Sequence, residues 1–113
     1  WEIIEGGSDP NEAPLDAAKR ELREEAGLIA EHWEPLGGEV HMSNCHSSER
    51  GYVFIATGLS HVEACPDGTE ELQIKKVPFE EALRMATDGE IKDALALIGI
   101  FLYAQHRLQN RKA

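Results

Sequence analysis

Basic residues are scarce: 11 Lys and Arg face 21 Asp and Glu, which leaves a formal net charge of −10. Such a surface repels nucleic-acid backbones and anionic membranes, so neither a nucleic-acid polymer nor a membrane is expected as a partner. A polyanionic small substrate would need a cation as intermediary. Cysteine is nearly absent. Cys45 and Cys65 stand twenty residues apart and form no C-x-x-C pair, so neither a zinc site nor a dithiol redox motif is indicated, and two free thiols fit a cytoplasmic setting. The longest apolar run, near residues 94–104, is too short to span a bilayer. No basic-then-apolar N-terminal segment reads as a signal peptide. Neither H-E-x-x-H nor G-x-S-x-G occurs, and His32, His41, His61 and His106 show no metal-ligand spacing. An initiator Met is lacking too, so strands preceding Trp1 are expected to be missing from the chain.

What is present suffices for one folded domain, expected to occupy residues 1–113. Hydrophobic residues make up 42% of the chain and alternate with charge, unlike a disordered acidic segment. Periodicity predicts strands over residues 1–4, 28–34, 39–42, 51–57 and 72–77, the fourth an apolar run of the kind buried on both faces. It predicts helices over 14–26, 78–87 and 91–111. Pro35-Leu36-Gly37-Gly38 and Pro66-Asp67-Gly68 are breaks. This order indicates an α/β chain, a mixed sheet sandwiched between helices. The last helix is apolar beyond the width of one small sheet face. It either covers its own core, the commoner use, or also meets a second copy; a homodimer is the expected assembly.

One stretch carries chemistry. In residues 6–28 a Gly-rich loop leads to Pro14, suited to a first helical position, and Gly27 supplies a residue tolerant of positive φ just past the helix end. Leu15, Ala18, Leu22 and Ala26 form one apolar stripe. Glu21 lies three and four residues before Glu24 and Glu25, so like charges meet on the flank of that stripe, and they do so near the negative end of the helix dipole. Both effects cost stability unless a cation compensates. A hard divalent ion with oxygen ligands, Mg²⁺ or Mn²⁺, is the natural candidate.

Gly6, Glu12, Arg20, Glu21, Leu22, Glu24, Glu25, Gly27 and Leu28 fill every fixed position of the pattern G-x5-E-x7-R-E-U-x-E-E-x-G-U, with U aliphatic. In this the chain resembles the Nudix hydrolases. The resemblance implies an α/β/α sandwich and metal-dependent cleavage of a phosphoric anhydride. It implies Glu21, Glu24 and Glu25 as metal ligands, joined by the main-chain carbonyl of Glu5, with Arg20 and Glu12 holding the ligands in place. Residues 43–50 are similar to the loop that ADP-ribose pyrophosphatases of this family place after the motif. Ser43, Ser48, Glu49 and Arg50 correspond, which implies Glu49 as general base, whereas Asn44 stands where a proline associated with ADP-ribose preference would be. Softer similarity to enzymes that cleave nucleoside-diphosphate sugars continues downstream.

The expected reaction splits ADP-ribose or another nucleotide sugar into a nucleoside monophosphate and a sugar phosphate. The alternatives are hydrolysis of other nucleotides, such as dinucleoside polyphosphates, and a Nudix-fold module that binds without turnover. Several residues keep two readings. Glu49 is a base or an exposed carboxylate pairing with Arg50. His46 assists as base or phosphate contact, or faces solvent as a loop histidine. Trp1 stacks on a base or packs as a core or rim aromatic. Arg50 and the Lys75-Lys76 pair are candidate phosphate contacts.

Overall fold

Local signals at both ends delimit the first helix, α1 (Pro14–Ala26). Pro14 occupies its first turn, and the Ala17 amide donates to the Ala13 carbonyl at 3.0 Å. Gly27 ends it in the left-handed conformation, φ 65° and ψ 37°, where its amide satisfies the carbonyls of Arg23 and Leu22. The expected stripe Leu15, Ala18, Leu22 and Ala26 is half-buried, and the side chain that α1 buries fully is the neighbouring Ala17. The computed structural model describes residues 1–7, 11–42, 50–62 and 73–111.

The chain divides into two compact units: Ile3–Glu34 with Phe54–Lys76, and Trp1–Glu2 with Pro35–Val53 and Val77–Ala113. The first unit carries α1, β1 (Leu28–Pro35) and β4 (Phe54–His61), whose strands pair with each other. The Val62 amide, just past β4, donates to the Gly27 carbonyl, just before β1, at 2.8 Å. Trp33 near the end of β1 meets Phe54 at the start of β4 edge-to-face, with ring centroids 6.4 Å apart. Start therefore meets end, and the two strands run antiparallel. The predicted strand over 51–57 is thus displaced to 54–61. It is half-buried only over Phe54 to Ala56, because burial follows the apolar run and the residues from Thr57 on are exposed.

The second unit carries β2 (Val40–His41), β3 (Arg50–Gly51), α2 (Phe79–Thr87) and α3 (Ala94–Arg111). β2 and β3 form an antiparallel pair in which Val40 faces Gly51 and His41 faces Arg50. A backbone bond from the Leu36 amide to the Val53 carbonyl at 2.8 Å closes the base of this hairpin. The core of the unit comprises Leu36, Val53, Met85, Ala86, Ile91, Ala96 and Ile100, with Ala96 wholly inaccessible. Phe79 packs edge-to-face on Tyr103 with centroids 4.7 Å apart, and the Arg107 guanidinium sits 5.0 Å over the Phe79 ring. Arg107 also donates to Glu80 at 2.9 Å, so one side chain ties α3 to the first turn of α2.

Two expectations about single elements differ from the structure. Residues 1–4 and 73–77 form no strand, since an alternating pattern supplies a face but not a neighbouring strand to bond with. Helix α3 begins at Ala94 rather than residue 91, because Asp93 accepts the Ala96 amide at 2.9 Å as an N-cap, while Ile91 is buried and its amide bonds the Met85 carbonyl. Among the described residues, strand pairing forms two two-stranded sheets, β1-β4 and β2-β3, which with the three helices agree with the expected α/β class. Thermal unfolding checks the cap: Asp93→Ala is expected to cost about 1 kcal/mol and Asp93→Asn little, since Asn caps as well as Asp.

Candidate active site

The N–H groups of one guanidinium gather the motif's acidic residues. Arg20, in the middle of α1, donates through Nε and Nη2 to the two oxygens of Glu12 at 3.1 and 3.0 Å, a bidentate fork. Its Nη1 donates to Glu21 Oε1 at 2.8 Å and to Glu24 Oε2 at 3.2 Å, and Nη2 donates again to the Gly7 carbonyl at 2.9 Å. These side chains are sheltered: Arg20 is 26% exposed, Glu12 18% and Glu21 14%, with Glu24 more open at 45%. A lysine could not serve, since a point charge on a flexible stem cannot span Glu12 and Glu21 with fixed donors.

Two features of this cluster fit a divalent cation. Three carboxylates around one guanidinium leave excess negative charge, and Glu25, half-buried on the same helix, adds to it. The donor set is oxygen throughout, as a hard cation requires. The Glu21 carboxylate also lies so close to the loop that a Cβ on Gly6 would overlap it. A side chain at position 6 would therefore displace the Glu21 carboxylate from the place where Arg20 holds it. Glu5, which precedes it, is half-buried in the same unit.

Glu49, His46 and Asn44 fall outside the described residues. Arg50 belongs to the hairpin unit, where its Nε donates to Glu39 Oε1 at 2.9 Å. Trp1 is 57% exposed, so it is no core aromatic. Lys75 and Lys76 are exposed and lie on no strand.

The sequence reading missed Glu39. It accepts from the Tyr52 hydroxyl at 3.0 Å as well as from Arg50, and His41 Nε2 lies 3.0 Å from it, donating in the tautomer with hydrogen on that nitrogen. The Tyr52 hydroxyl, ahead of His41 and Arg50, holds the Glu39 carboxyl below its ordinary value, and the same bond pushes the Tyr52 hydroxyl up. A depressed carboxyl stabilises above its unfolded pKa and loses that contribution as pH falls through the lowered value, so these bonds outlast the ordinary carboxylate range on acidification. The usable signal was the alternation Glu39, His41 against Arg50, Tyr52, legible once the hairpin register is known.

Removing the fork tests its role. Arg20→Ala, which leaves three carboxylates facing one another, is expected to lower stability by about 1–3 kcal/mol. Millimolar Mg²⁺ recovers part of the loss in thermal melts if a cation replaces the guanidinium's charge. Unchanged melting would contradict the assignment.

Comparison with known proteins bears on this arrangement. The family model described as NUDIX domain matches residues 1–97. The chain is 36% identical over 103 residues to an ADP-ribose pyrophosphatase of Mycobacterium tuberculosis, covering 88% of this chain and 49% of that protein. It is 29% identical over 103 residues to an ADP-ribose pyrophosphatase of Escherichia coli K12, with the same coverage of 88% and 49%. A GDP-mannose pyrophosphatase of Enterobacter sp. is 35% identical over 91 residues, 78% of this chain and 47% of that one. The chain thus spans about half the length of the curated relatives it matches. A crystal structure described as an ADP compounds hydrolase superposes with a TM-score of 0.77 at 25% identity, covering 92% of this chain and 55% of that one. The motif cluster on α1, the match over residues 1–97 and this likeness of fold together establish that the chain belongs to the Nudix family.

Proposed function

We propose that the protein is a Mg²⁺- or Mn²⁺-dependent hydrolase of the pyrophosphate bond in ADP-ribose or another nucleotide sugar, releasing a nucleoside monophosphate and a sugar phosphate. The observation that carries this reading is the Arg20-centred cluster, whose surplus carboxylate charge sits on the helix that the family motif occupies. Glu21, Glu24 and Glu25, with the main-chain carbonyl of Glu5, would hold the cation. When bound it neutralises phosphate charge and lowers the pKa of a coordinated water. Arg20 and Glu12 keep the ligand carboxylates oriented, a role the bidentate fork suits.

Glu49 as general base, Arg50 as a phosphate contact, His46 as its assistant and Trp1 as a stacking surface rest on the resemblance and on residue chemistry. The exposure of Trp1 is compatible with stacking. The substrate class draws on the activities for which the relatives are named, ADP-ribose and GDP-mannose cleavage, and Asn44 in place of a proline keeps nucleotide sugars beyond ADP-ribose in view. A cytoplasmic setting is part of this proposal; no helix among the described residues is long and apolar enough to cross a membrane. Phe101 and Leu108, seven residues apart on one side of α3, are 45% and 51% exposed and support the proposed homodimer.

The test is product release from a panel of nucleotide sugars and dinucleoside polyphosphates with Mg²⁺. Turnover of ADP-ribose or a sugar nucleotide is expected, falling about a hundredfold or more in Glu25→Gln and Glu49→Gln. No turnover with any divalent metal removes the enzyme reading. Full activity in Glu49→Gln removes the base assignment alone.

A further inference from the structure

The register of the β2–β3 hairpin, Val40 with Gly51 and His41 with Arg50, sorts its side chains into two faces. Val40 and Gly51 share the packed face, where Gly51 is buried and a Cβ on it would stand 3.0 Å from Leu95 Cδ1. Glu39, His41, Arg50 and Tyr52 share the other by alternation. All four are exposed, yet they converge: Arg50 Nε and His41 Nε2 reach Glu39 Oε1 at 2.9 and 3.0 Å, and the Tyr52 hydroxyl reaches Glu39 Oε2 at 3.0 Å. Exposed ion pairs contribute little to folding, because water competes for both partners and ordering long side chains costs entropy. Stability alone is a weak account of three side chains drawn to one open carboxylate.

We infer that Glu39 is a positioning residue for Arg50, holding its guanidinium in one orientation for contact with the phosphates of a nucleoside-diphosphate substrate. The inference rests on the proposed role of Arg50 as a phosphate contact. Arg50 is bonded through Nε, the nitrogen whose N–H lies along the guanidinium edge nearest the side-chain stem, so the bond fixes the plane of the group. Tyr52 occupies the opposite oxygen of Glu39 and restrains its carboxylate from turning away. Phosphate recognition by arginine gains most from a fork of fixed plane, since ordering a free arginine on binding costs rotamer entropy. The arrangement makes an unusual demand: a negative charge is retained beside a residue meant to bind an anion. That demand supplies a test by sign. Long-range electrostatics predicts that removing the Glu39 charge tightens anion binding, whereas positioning predicts that it weakens.

The experiment is calorimetric binding of α,β-methylene-ADP-ribose, which cannot be hydrolysed at the bridge, in the presence of Mg²⁺. Arg50→Ala is expected to weaken binding about 10- to 100-fold, the range for a lost charge-assisted contact. Glu39→Gln is expected to weaken it about 5- to 10-fold, the entropy of an unfixed side chain. The double variant should bind within about twofold of Arg50→Ala alone, as two changes in one device are not additive. Tyr52→Phe, which removes a single hydroxyl and so preserves the fold, should weaken binding about two- to fivefold, and only where Arg50 is present. Unchanged or tighter binding by Glu39→Gln beside weak binding by Arg50→Ala overturns the inference and leaves the Arg50 role standing, as do additive losses. Wild-type binding by Arg50→Ala, or no binding by the unaltered protein, overturns both.

Discussion

The acidic face of α1 depends on one guanidinium. Glu21 and Glu24 lie a turn apart near the helix end where the dipole disfavours anions, and Glu12 approaches from the preceding loop. Without Arg20 these carboxylates would repel one another. With it, Glu12 is gripped at both oxygens and Glu21 and Glu24 at one each, so all three are ordered while their combined charge stays negative. That residue of charge is the chemical point: a site fully neutralised by its own cation would have nothing to offer a metal ion, and a site with no internal cation would not hold its shape.

The same constraint reaches back into the loop. The Glu21 carboxylate occupies the space a side chain at position 6 would take, so the glycine that opens the motif leaves the glutamate fifteen residues later free to stay on Arg20. Helix α1 sets the spacing between them. Its beginning at Pro14 and its end at Gly27 keep Arg20, Glu21 and Glu24 within a turn of one another, while the Gly7 carbonyl, bonded by Arg20, fastens the loop to the helix.

Much of this was legible in the residues because it is local. Proline at a helix start and glycine past its end act within a turn, and α1 has the boundaries those signals imply. The carboxylate cluster lies on one helix, where spacing alone makes neighbours. Features that depend on distant partners were less legible. Alternation over residues 1–4 and 73–77 marks a face but no partner strand, and neither segment is a strand. The apolar run after Gly51 breaks at Tyr52 and Val53 and resumes as β4, a division that rests on which strand each part pairs with. Asp93 as the start of α3 was hidden behind Ile91, whose burial belongs to the turn before the helix. Glu39 was missed for a related reason: its partners Arg50 and Tyr52 lie eleven and thirteen residues away, and only the hairpin register brings them together.

The central claim, that the α1 carboxylates form a divalent-cation site, can be tested apart from any substrate by calorimetric titration with Mn²⁺. The account predicts saturable binding that Glu21→Gln weakens by about tenfold or more and that Glu80→Gln, on α2, leaves unchanged. Binding that is absent, or that Glu21→Gln and Glu80→Gln affect alike, would contradict it.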